Sequence, residues 1–76
     1  MKFVRYQYRA INLAQVIDIA VSANYLVLTT TDGREEKLVH GGEKALEALM
    51  EEILAFLNDD RKVLDCEEFM LTAYNK

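Results

Sequence analysis

The chain has 76 residues, a formal charge of −4, 51% apolar residues, three glycines, no proline and one cysteine. That length suits a single domain over residues 1–76, and a domain so small is marginal unless a disulfide, a metal or a partner subunit supports it. One cysteine excludes an internal disulfide, and the acid excess opposes general binding to phosphate backbones or anionic membranes.

Disorder is not expected from so apolar a chain, and no apolar run approaches the roughly 20 residues of a membrane span. The first six residues alternate charged and apolar side chains, which is not a signal-peptide pattern. With the lone Cys66, this points to an intracellular, cytoplasmic protein whose remaining means of support is self-association. Charge is uneven: residues 1–31 carry Lys2, Arg5 and Arg9 against Asp18, whereas residues 32–76 carry twelve acids against six bases.

In chain order, Phe3 to Tyr8 reads as a first strand, with Val4, Tyr6 and Tyr8 on one face and Phe3, Arg5 and Gln7 on the other. Residues 11–15 turn the chain, and Asn12 is suited to start a single helical turn by bonding local backbone. Val16 to Ala23 is the second strand, with Ile17, Ile19 and Val21 as its core face. Asn24 marks a tight turn because asparagine tolerates a positive φ. Tyr25–Thr31 and Arg34–Val39 form a hairpin around Asp32-Gly33. A three-residue loop with Gly33 as its bulge gathers Leu26, Leu28 and Leu38 on one side. A two-residue loop would put Val27 beside Leu38 instead.

After Gly41-Gly42 the period changes from 2 to 3.6. Leu46, Leu49, Met50, Ile53, Leu54 and Leu57 predict a helix from about Glu43 to Leu57. The tail admits two readings. Asp65 and Glu68 resemble a capping box before a short helix carrying Cys66, Phe69, Met70, Ala73 and Tyr74. Alternatively, Val63–Cys66 adds an edge strand. The expected fold is α+β: about four antiparallel strands in one small sheet, one long helix on one face, and a short C-terminal element, in the order β-β-β-β-α-α.

No motif carries a named chemistry, and the chain is not read as an enzyme. His40-Gly41-Gly42 precedes a helix, yet it lacks the lysine or hydroxyl of a phosphate loop and is followed by Glu43. His40 and Cys66 fall short of a zinc ligand set, and Cys66 has only His40 as a candidate base. Glu35, Glu36, Glu43, Glu47, Glu51, Glu52, Asp59 and Asp60 read as solvated surface. No cofactor or metal is expected.

Two constellations point to partners. A single helix covers one face of a sheet, so Val4, Tyr6, Tyr8, Tyr25 and Val27 are expected outside, as an interface in a homodimer. Alternatively, Arg5, Tyr6, Tyr8, Arg9 and Tyr25 interleave cations with aromatics, as on a platform for stacking single-stranded nucleic acid.

The stretch Tyr8-Arg9-Ala10-Ile11-Asn12-Leu13-Ala14-Gln15-Val16-Ile17-Asp18-Ile19 resembles the opening of small uncharacterised bacterial and phage proteins. In these, I-N-L-x-x-V-x-x-I turns one strand into the next, and a hairpin and a helix follow. The resemblance implies that order of elements over residues 3–57 and assigns no functional residue. A more distant likeness is to strand–turn–strand segments of sheet-based DNA-binding domains, whose basic residues are mostly missing here.

Overall fold

Asn12 sets the first corner of the chain. In the computed structural model, which describes residues 1–74, its side chain accepts from the Ala14 amide at 2.9 Å and caps a 3₁₀ turn, Leu13–Gln15. That turn separates two three-stranded sheets. One contains β1 (Phe3–Tyr6), β2 (Arg9–Asn12) and β6 (Val63–Asp65) in the order β2-β1-β6. The other contains β3 (Val16–Ser22), β4 (Tyr25–Thr30) and β5 (Glu35–His40) in chain order. Two helices complete the α+β fold, α1 (Glu43–Phe56) and α2 (Cys66–Tyr74). The side chains of Ala73 and Tyr74, read above as part of the α2 stripe, lie outside the described residues.

The single sheet and the unbroken first strand expected from sequence are corrected here. The chain reverses at Gln7-Tyr8, pairing Tyr6 with Arg9 and Val4 with Ile11. Gln7 takes a positive φ of 54° to do so, with no Gly, Asn or Asp to mark the turn. β6 then adds to the other side of β1 in parallel, Val4 beside Leu64. Both readings of the tail are therefore realised: Val63–Asp65 is a strand, and a helix starts at Cys66 with the Glu68 amide donating to Asp65 Oδ1 at 3.1 Å.

The second sheet follows the bulged hairpin. Thr29 pairs with Glu35, the Thr30 amide donates to the Arg34 carbonyl at 2.9 Å, and Gly33 has φ 85°. A further register shift between Leu26 and Val27 lets β5 turn two consecutive residues inward, so Leu38 and Val39 are both buried. Ala23-Asn24 form the two-residue turn between β3 and β4, with φ of 50° and 66°. The alanine is ill suited to that region, which costs L-residues about 1–2 kcal/mol. Replacing the pair by Ala23→Asn with Asn24→Gly is expected to stabilise the fold by about 1 kcal/mol, raising Tm by about 4–8 °C in a thermal melt.

One core joins these parts. Val4, Leu26, Leu28, Val39, Leu46, Leu49, Ile53, Phe56 and Cys66 are fully buried together. The helix stripe is rotated from the expected one: Phe56 takes a core position, while Leu54 and Leu57 remain well exposed. Helix α1 lies over β3 and β4, and α2 packs against α1 and β1.

Lys2 ties the start of the chain to the end of α1. Its Nζ donates to the carbonyls of Phe56, Asp59 and Arg61 at 2.6, 2.5 and 2.9 Å, and sits 4.5 Å from the Phe56 ring centre. A cation there meets carbonyl oxygens at and just beyond the C-terminus of α1, the negative end of the helix dipole. Asp59 accepts from Arg61 Nε at 2.7 Å and from the Arg61 amide at 2.9 Å; the Arg61 side chain is the chief reason its carboxyl is held down to about 2.

Candidate functional site

The residues expected to form an interface or a stacking platform do not share one surface. Val4 is fully buried, which corrects its expected place outside. Tyr6 faces inward beside Ile11 and packs against the core, whereas Arg5, its neighbour along β1, faces the opposite side of the sheet. Tyr8 stands fully exposed in the β1–β2 turn, and Tyr25 belongs to the other sheet. Both arginines have carboxylate partners: Arg5 lies 3.6 Å from Asp65, and Arg9 pairs with Glu36.

The face of β3-β4-β5 turned away from α1 is less apolar than alternation alone suggested. Cross-strand pairing places Asp18, Ala20, Ser22, Thr29, Glu35, Lys37 and His40 there, around Tyr25 and Val27. Val27 is buried between Ala20 and Lys37, which corrects its expected place outside. Tyr25 meets the His40 ring edge-on at 4.9 Å, with Lys37 Nζ 5.4 Å from its centre. Short and polar neighbours thus finish this face within the chain itself, which removes the argument that another polypeptide must cover it.

His40 is exposed, and a Cβ at Gly41 would stand 2.7 Å from Met70 Cε, the end of a flexible side chain. Among the described residues, no three His, Cys, Asp or Glu side chains converge as a metal site. Cys66 is fully buried. Burial pushes its thiol up to about 12, with the negative charge of Asp65 adding to the effect. The thiolate that would act as a nucleophile is therefore suppressed at neutral pH. Ellman's reagent at pH 8 is expected to leave Cys66 unmodified in the folded chain and to titrate one thiol in denaturant. Prompt reaction of the native protein would contradict that environment. The linkage has a matching sign. The raised native value keeps the thiol protonated where the unfolded one ionises, so its contribution is intact below about pH 9 and fades between about 9 and 12.

A different surface groups three of the exposed apolar residues, Ile17, Leu54 and Leu57. Strand β3 pairs with β4 on one side, and among the described residues it has no strand on the other. Its register shifts between Val16 and Asp18, and the bulge throws Ile17 outward instead of into the core face expected for it. Ile17 is 66% exposed, and opposite it on α1 stand Leu54 and Leu57, 46% and 45% exposed. With Leu13, Val16, Asp18, Ile19 and Met50 these line a mainly apolar groove of about 320 Å³ between the strand edge and the helix. A second groove continues along the same edge, from Ile19, Ala20 and Val21 to Lys44, Glu47, Ala48 and Glu51.

Sequence reasoning missed this surface because it read Ile17, Leu54 and Leu57 as core. The available signal was an apolar excess: the α1 stripe holds more large side chains than one sheet face can cover. No helix among the described residues is long and apolar enough to cross a membrane. Comparison with protein-family models, with curated proteins and with solved structures finds no match to this chain.

Proposed function

We propose that this protein is a small non-catalytic interaction module that self-associates, and that the grooved edge of β3 with the exposed flank of α1 is its contact surface. The observation that carries the reading is the grouping of Ile17, Leu54 and Leu57 beside an unpaired strand edge. Scattered exposed apolar residues are ordinary, but a contiguous patch beside free backbone donors and acceptors is a contact site. A chain of this length gains support from a partner that it does not draw from disulfides.

The stacking-platform reading is less favoured. It needs free cations beside open aromatic faces. Here Arg5 and Arg9 sit with carboxylates, and the net charge is −4.

Sedimentation equilibrium over a range of about 1 to 500 μM tests the reading. The expected result is a mass rising with concentration from 8.7 kDa towards twice that value. A constant 8.7 kDa throughout would overturn self-association.

A further inference from the structure

We infer that two copies join edge to edge through β3, about a two-fold axis passing beside Ala20 of the strand and between Glu47 and Ala48 of α1. This rests on the self-association proposed above and specifies its geometry.

Three observations converge on that axis. The first is the shape of the edge. The regular part of β3 after its bulge runs from Asp18 to Ser22, and its middle residue is Ala20. Antiparallel pairing with a second copy about Ala20 sets Ile19 beside Val21 of the other chain, and Val21 beside Ile19. Both residues are half-buried on the face turned towards α1, so apolar meets apolar without a slip in register.

The second observation is helix spacing. Helix α1 packs on both β3 and β4, and the inferred arrangement takes its axis over the boundary between them. Paired strands lie about 4.8 Å apart. Joining β3 to its copy therefore leaves the two α1 axes about 10 Å apart on one side of a six-stranded sheet. That is the ordinary distance for helices in contact, about 8–10 Å.

The third is charge. Lys44, Glu47, Ala48 and Glu51 form the helix wall of the groove and lie along one stripe of α1. The two helices run antiparallel across the axis. Lys44 then faces Glu51 of the second copy, and Glu51 faces its Lys44, while the small Ala48 lies near the crossing. The stripe is complementary to itself when reversed. The same axis brings Ile17 and Leu54 towards the partner's Ala23 turn and Gly42, where an added Cβ would meet nothing within 4 Å.

A charge-swap series measured by sedimentation at about 50 mM salt tests the arrangement. Lys44→Glu and Glu51→Lys are each expected to weaken self-association about tenfold, and the double variant Lys44→Glu/Glu51→Lys to return it to within about threefold of the unaltered chain. Both positions are exposed, and circular dichroism checks that each variant keeps the fold. If the unaltered chain dimerises but the single swaps leave its affinity unchanged, or the double variant fails to recover, this axis is wrong while the interaction module stands. If the unaltered chain is monomeric at every concentration, both fall together.

Discussion

Phe56→Ala is expected to remove about 3–5 kcal/mol of stability, which is most of what a 76-residue domain possesses. Phe56 is the largest fully buried side chain and closes the end of α1. Its ring also carries the Lys2 ammonium at 4.5 Å and the Arg61 guanidinium at 5.4 Å. Truncation thus leaves a cavity and deprives the Lys2 clamp of one face. Urea unfolding followed by circular dichroism is expected to show the variant largely unfolded in buffer. Phe56→Leu, which retains most of the volume, should keep a cooperative transition with a smaller loss. A Phe56→Ala midpoint within about 1 kcal/mol of the unaltered chain would mean that α1 does not rely on this residue.

The second large effect falls on assembly and spares the fold. Ile17→Asp and Leu54→Glu each place a charge in the apolar groove at a position that is already solvent-exposed. Exposed substitutions usually change stability by no more than about 0.5 kcal/mol, so the melting curve of the monomer should barely move. Burying an unpaired carboxylate in an interface is far more costly, and self-association is expected to weaken at least a hundredfold. Sedimentation of each variant beside the unaltered chain checks this. Retained dimer in both variants would place the contact elsewhere on the molecule. A substitution at Tyr8, more exposed than either and remote from the groove by sequence and sheet, is the control: Tyr8→Glu should leave the mass distribution as it was.

The two effects separate what holds the fold together from the surface proposed for contact. Phe56 and the residues around it are needed by the monomer. Ile17, Leu54 and Leu57 contribute little to it, because each keeps nearly half or more of its surface in solvent. Apolar side chains that fold does not use, gathered in one groove beside unpaired backbone, are the strongest feature of the molecule's exterior.

The sequence by itself determined the local events whose chemistry is local. Asn12 announced the 3₁₀ turn because its side chain reaches an amide only two residues on. Asp32-Gly33 announced the hairpin, and the leucine pattern of its two strands favoured the bulged register, in which Gly33 takes φ 85°. The leucine period announced α1 to within a residue of its end. The tertiary structure decided the rest. No turn residue marks the reversal at Gln7-Tyr8; β1 is paired on both sides, with the adjacent β2 and with β6, and β6 comes from near the other end of the chain. Likewise, alternation cannot distinguish Ile17 from Ile19, and helical spacing cannot distinguish Leu54 from Ile53. A one-residue bulge and a small rotation of α1 sent Ile17 and Leu54 to solvent, because which apolar residues are buried depends on what lies opposite them.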